Sequence, residues 1–267
     1  MNFFEITGGL GNQMFQYTFA KYMELLTGQA SVLYLNFYDY VKNDPDLANR
    51  EFDLSKYNTD YISVNGNVGY RKLIYEPNLT DISDDYYLDF FKGYWQDKKY
   101  LEAIYPAIKK ELTLKDSFIT HELRQISSDM QNTLSVSMHI RRTDYLHSGN
   151  SEMFTQLSPL YYEKALNILS DFVGNDIVIY IFSDDPDYVA ESFQFIKKYN
   201  YYLMPLREAY LDMYLMSQTR HHIIANSSFS WWAAALSNFN DSITIIPRKW
   251  FKHDPSPTIY FEKWISL

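Results

Sequence analysis

Two adjacent arginines follow a segment of alternating apolar and polar residues, and that combination narrows the chemistry. In Ser137-Met138-His139-Ile140-Arg141-Arg142-Thr143-Asp144-Tyr145 the residue types alternate as in a strand. Val136, Met138 and Ile140 share one face, while Ser135, Ser137, His139 and Arg141 share the other. Two cations at a strand end are unfavourable unless paired. Asp144 is placed to neutralise one, which leaves the other for a phosphate gripped by the planar guanidinium fork. Strand parity assigns Arg141 to the anion, and Arg142 to Asp144 or the domain framework. An Arg–Asp network without a ligand is the simpler alternative.

Three more constellations lie at the same kind of place, after a strand and before a helix. Gly8-Gly9-Leu10-Gly11-Asn12-Gln13 lets backbone N–H groups approach an anion at a helix start. Its spacing is not G-x-G-x-x-G, so a dinucleotide fingerprint is a poor fit, and a tight turn alone would also explain it. Ser183-Asp184-Asp185-Pro186-Asp187 contains a D-x-D spacing that can hold a divalent cation on a diphosphate. The simpler reading makes Asp185 a helix cap with Pro186 in the first turn, and Asp184 or Asp185 an acceptor for a ribose or base. Asn226-Ser227-Ser228-Phe229-Ser230 precedes Trp231-Trp232. Its hydroxyls can cap a helix or donate to a phosphate, and the tryptophans read as core. His221 and His222 are neighbours on a strand and point to opposite faces, which is poor metal geometry.

Composition removes other chemistries. With no cysteine there is no disulfide, thiolate metal site or Cys nucleophile. A net charge of −9 has the wrong sign for a general nucleic-acid binder. Nine glycines in 267 residues is about half the usual frequency of roughly 7%, yet three of them sit in the 8–11 loop. Aromatics make up 18% of the chain, which reads chiefly as packing, although sugar-binding surfaces also use them. The start carries no basic and apolar leader pattern, and the longest apolar runs fall far short of the roughly 20 residues of a membrane span. The expected location is the cytoplasm, with room for peripheral contact at the inner face of the membrane.

The elements that must position these residues are partly legible. The pattern predicts a strand at Phe3–Ile6, a helix at Gln13–Thr27 stopped by Gly28, and a strand at Ser31–Asn36. Residues 39–99 show little period, and Tyr100–Leu114 and Ser117–Asn132 read as two helices. Strands at Leu134–Ile140, Ile177–Phe182, Tyr201–Met204, His222–Ala225 and Ser242–Ile246 then alternate with helices at Pro159–Phe172, Pro186–Lys198, Glu208–Ser217 and Phe229–Ser237. Alternation of this kind predicts an α/β fold with a doubly wound parallel sheet, and a domain boundary near residue 130.

In order along the chain, these motifs resemble the bacterial α-1,2-fucosyltransferases, glycosyltransferase family eleven. The matching text is G-G-L-G-N-Q-M-F-Q-Y at 8–17, G-Y-W-Q-D-K-K-Y at 93–100, H-I-R-R-T-D-Y at 139–145 and F-S-D-D at 182–185. It continues with L-M-S at 215–217, H-x-I-x-A-N-S-S-F-S-W-W at 221–232 and P-R-K-W at 247–250. Departures are Thr143, where relatives often have Gly, Ser228 for Thr, Ala235 for an aromatic and Thr219 for Cys.

The resemblance implies a GT-B fold of two Rossmann-like domains facing a central cleft. Residues 1–130 would be the acceptor side and 131–267 would bind the GDP-sugar, with the last ~20 residues packing back on the first domain. The implied reaction is inverting transfer of L-fucose from GDP-β-L-fucose to the 2-hydroxyl of a terminal β-galactoside, with no metal or other cofactor. Arg141 would hold the β-phosphate, Asn12 would lie in a loop closing on the donor, and Asp184 or Asp185 would hold the nucleoside. The remaining donor contacts are expected from Gly9, Gln13, Arg142, Ser183, Asn226, Ser227, Ser228, Phe229 and Ser230. Arg141, His139 and Asp144 are the expected catalytic groups, and Glu5 and Glu152 are further candidates for the base. A transferase using another nucleotide sugar, or a non-catalytic glycan-binding protein, are the competing readings.

Overall fold

The computed structural model describes residues 1–42, 50–76, 79, 86–142, 150–253 and 259–267. It divides into two compact units, Met1–Asp116 and Ser117–Leu267.

In the first unit, β1 (Asn2–Glu5) runs into α1 (Leu10–Thr27), then β2 (Ser31–Tyr34) and α2 (Asn36–Lys42). Gly28 ends α1 in the left-handed region at φ 64°, its N–H donating to the Glu24 carbonyl. Three short strands follow, β3 (Ile62–Val64), β4 (Leu73–Tyr75) and β5 (Phe90–Lys92), and then α3 (Lys98–Glu102) and α4 (Tyr105–Glu111). Among the described residues they form a parallel sheet in the order β3-β2-β1-β5-β4. Aromatics fill its helix-covered side: Phe4 stacks on Phe91 with ring centres 4.9 Å apart, and Trp95 stacks on Phe19 at 4.0 Å. The single helix expected over Tyr100–Leu114 is two helices, because Pro106 lacks the N–H that a continuing helix needs and suits the first turn of α4.

The second unit opens with α5 (His121–Gln131), capped by the Thr120 hydroxyl. It continues with β6 (Ser135–Ile140), α6 (Asn150–Met153), α7 (Pro159–Val173), β7 (Val178–Ser183) and α8 (Pro186–Ser192). It is completed by β8 (Asn200–Leu203), α9 (Ala209–Ser217), β9 (His221–Ile223), α10 (Ser228–Leu236), β10 (Thr244–Ile246) and β11 (Ile265–Ser266). The boundary therefore precedes the expected residue 130. The segment before β6 belongs here, with Phe118 packing edge-on to Tyr210 and Ser127 bonded to Tyr214. The helix expected over Pro186–Lys198 stops at Ser192 and continues as a 3-10 turn. Phe193 at the break turns inward against Tyr162 and Tyr188.

The sheet is parallel throughout, in the order β11-β10-β9-β6-β7-β8. β6 is wholly buried, and its Val136, Met138 and Ile140 enter one apolar cluster with α7, β7 and α8. The chain winds outward from β6 through β7 to β8, then returns to start the other half at β9. The two halves meet between β6 and β9, and in such sheets ligands sit beyond the carboxyl ends of those two strands. The described residues at the end of the chain, 259–267, belong to this unit. β11 pairs with β10, and Trp231 Nε1 donates to the Ile259 carbonyl at 3.0 Å. No described helix is long and apolar enough to cross a membrane.

Candidate active site

β6 pairs with β7 so that His139 lies opposite Phe182 and Ile140 opposite Ser183. The two strands end together, and Arg141-Arg142 emerges beside Asp184-Asp185. Arg141 Nη1 lies 3.2 Å from Asp184 Oδ2, and the Arg142 N–H donates to Asp184 Oδ1 at 2.9 Å. The Arg142 Nε forms an ion pair with Asp185 Oδ2 at 3.0 Å, and its guanidinium lies 3.6 Å from the centre of the Tyr188 ring. Asp185 also accepts the Tyr188 N–H, which caps α8, while the Ser183 hydroxyl accepts the Asp185 N–H. Arg142 is thus tied into the framework, its carboxylate partner among the described residues being Asp185. Thr143 and Asp144 lie outside the described residues. Asp185 has the capping role that competes with a D-x-D cation site.

His139 is buried one residue before the strand's last position. Burial, and then the charge of Arg141, push its imidazole down to about 3, so it is neutral near pH 7. Its Nδ1 has no hydrogen-bond partner among the described residues, and its ring centre is 5.5 Å from that of Phe229. That contact links the end of β6 to the first turn of α10. His139 is one of the expected candidates for the base. Of the other candidates, Glu5 is ion-paired with Lys92 at 3.0 Å, and Glu152 is exposed on α6.

The serine turn after β9 divides by role. Asn226 is buried, its amide donating to the carbonyls of Thr155 and Trp250, both at 2.8 Å. Ser227 caps α10 by accepting the Phe229 N–H, and Ser230 is enclosed, its hydroxyl turned toward the Ser227 carbonyl. Asn226 and Ser230, expected as donor contacts, therefore brace the turn. Ser228 and Phe229 are half-buried at the start of α10, where backbone N–H groups and the helix dipole favour an anion. Trp231 and Trp232 are fully buried, as expected. His222 bonds Ser137 and His221 accepts the Ile243 N–H, so the pair diverges.

In the first unit the glycine loop has an unexpected internal logic. Gly8, not Gly9, adopts positive φ (+76°), and a side chain there would stand 2.9 Å from Asn12 Nδ2. Gly9 has ordinary extended geometry, and a Cβ on it would lie 3.5 Å from Arg50 Nη1. Gln13, expected to meet the donor, is fully buried with both amide atoms engaged. Its Nε2 donates to the carbonyls of Gly8 and Glu51, and its Oε1 accepts the N–H groups of Asp53 and Leu54. Gln16 similarly binds Thr7 and the Gly93 carbonyl, and Asn12 accepts a bond from Gln96. Arg50 and Tyr38, which donates to the Gly8 carbonyl, carry no sequence signal, because nothing periodic connects them to the loop.

Replacing Gly8 with Ala should lower stability by about 1–2 kcal/mol, through positive φ and the Asn12 contact. Gly9→Ala should fold as well as the parent. Paired urea unfolding curves check this, and equal stabilities would show that the loop relaxes. GDP affinity of Gly9→Val, measured beside its melting temperature, asks whether the open side of the loop serves a ligand. Unchanged affinity would leave the loop as a turn alone.

A family model described as Glycosyl transferase family 11 matches residues 1–267. The Escherichia coli O-antigen biosynthesis glycosyltransferase WbnK is 29% identical, the match covering 98% of this chain and 99% of that protein. An Escherichia coli α-1,2-colitosyltransferase is 31% identical over 98% and 97%. Among solved structures, fucosyltransferase NodZ from Bradyrhizobium superposes with a TM-score of 0.54 at 12% identity, over 88% of this chain and 92% of that one. POFUT1 in complex with GDP gives 0.53 at 13%, over 99% and 97%. At these identities the two structures establish a common fold.

Proposed function

Because the chain belongs to glycosyl transferase family 11, we propose that it transfers L-fucose from GDP-β-L-fucose to the 2-hydroxyl of a terminal β-galactoside, with inversion and without a metal ion. The observation that carries this reading is the arginine pair at the exit of β6, beside the point where the two halves of the sheet meet.

Transfer from a nucleoside diphosphate sugar builds negative charge on the departing diphosphate. In this proposal Arg141 supplies a planar donor fork to that charge, and the start of α10 supplies backbone N–H groups. Those groups take the part that a divalent cation plays elsewhere. Asp185 is committed to Arg142 and to capping α8, so the D-x-D carboxylates are poorly disposed to hold a metal. Attack by the acceptor hydroxyl also requires loss of its proton. An oxocarbenium-like path, in which the sugar–phosphate bond is largely broken before the proton leaves, lessens the need for a strong base.

A second reading, transfer of a colitosyl group, is favoured by the 31%-identical colitosyltransferase. A donor screen separates the readings. GDP-fucose, GDP-colitose, GDP-mannose and UDP-galactose are offered with a panel of β-galactosides, and GDP or UDP release and product are followed. The expected result is fucosylated product from GDP-fucose, undiminished after exhaustive EDTA treatment. Exclusive use of GDP-colitose would replace the donor, and complete loss restored by Mn²⁺ would revive the carboxylate–metal reading. Glycan binding with no turnover on any donor would point to a non-catalytic protein.

A further inference from the structure

Among the described residues the arginine pair faces two carboxylates, and these are held very differently. Asp185 is locked: it caps α8 and faces an Arg142 whose guanidinium is stacked on Tyr188. Asp184 is bonded to the backbone of the arginine turn through Oδ1 and faces the Arg141 guanidinium through Oδ2. The Arg141 and Asp184 side chains retain 25% and 17% exposure, so this pair is reachable from solvent.

We propose that Asp184 is an exchangeable counter-ion. It holds Arg141 in place in the unliganded protein and yields it to the diphosphate when the donor binds. The proposal rests on the reading of Arg141 as a diphosphate ligand. A diphosphate reaching Arg141 meets the Asp184 carboxylate at close range. Like charges repel, so the oxygens of the incoming group must displace Oδ2 from the guanidinium. The Oδ1 bond to the Arg142 N–H lies on the other oxygen and survives the exchange. The turn keeps its shape while the charge partner of Arg141 changes. This differs from a nucleoside-holding role for Asp184, and the two roles predict opposite signs.

The test is calorimetric titration of GDP, guanosine and inorganic pyrophosphate into the parent and two variants. Asp184→Asn removes the charge but keeps an oxygen for the Arg142 N–H. Its affinity for GDP and for pyrophosphate should rise about two- to fivefold, the scale of a partly exposed ion pair, with guanosine unaffected. Asp184→Glu restores the charge and should return both affinities toward the parent. If Asp184→Asn folds poorly, Asp184→Ser, also neutral and able to accept that N–H, repeats the test and must shift the same way. Weaker binding of GDP and guanosine alike would overturn the proposal and assign Asp184 to the nucleoside. Unchanged affinities would overturn it as well. A parent protein that binds pyrophosphate but not GDP would refute the GDP reading, and the exchange would then be judged on pyrophosphate. Binding of neither would overturn both.

Discussion

Arg141→Lys should lower turnover with GDP-fucose by about 100- to 1,000-fold, the loss typical of removing one preorganised donor to developing charge. The thermal midpoint should stay near that of the parent. Lysine keeps the charge but loses the planar fork that meets two phosphate oxygens at once, and its ammonium reaches as a flexible point charge. Arg141 also sits at a partly exposed ion pair, whose loss costs little stability. Arg142→Lys should behave in the opposite way. A lysine cannot both face Asp185 and lie flat on the Tyr188 ring, so about 1 kcal/mol of stability should go, with a smaller loss of turnover. The measurements are initial rates with GDP-fucose and lactose, beside melting curves for both variants. An active Arg141→Lys beside a folded but inactive Arg142→Lys would exchange the two roles.

Gln13→Ala should destabilise the protein by about 3 kcal/mol. One buried amide serves two carbonyls and two N–H groups at the start of α1 and across residues 51–54. Truncation leaves several of them without a partner in a site closed to solvent, at roughly 1–3 kcal/mol for each group not rehydrated. Gln13→Glu should be nearly as damaging, because a carboxylate cannot donate to the Gly8 and Glu51 carbonyls. Urea unfolding reads the effect. A Gln13→Ala protein of parental stability with abolished GDP binding would return this residue to the list of ligand contacts.

Legibility followed the length and burial of each element. The six-residue strands β6 and β7 and the fifteen-residue α7 carry enough apolar pattern to be placed within a residue or two. Prolines at the starts of α7 and α8 and Gly28 after α1 mark their boundaries through backbone geometry alone. The strands β3, β4 and β5, with three residues each, are too short to express a period. Their sheet is built by aromatic stacking between residues far apart in the chain, such as Phe4 and Phe91.

The candidate site shows the same division. By itself the sequence determined that an arginine pair, a carboxylate pair, a glycine loop and a serine turn each sit between a strand and a helix. Those are local facts of residue type and spacing. Only the tertiary structure decided which of them meet. Among the described residues the arginines find their carboxylate partners at the end of β7, more than forty positions on in the chain, because parallel pairing in register stops β6 and β7 at the same level. Likewise Gln13 and Asn226 look from their motifs like ligand contacts and become braces, since burial obliges each amide to satisfy backbone groups brought to it from distant segments. Partner choice depends on strand order and register, which the packing of the whole sheet sets and no local pattern encodes.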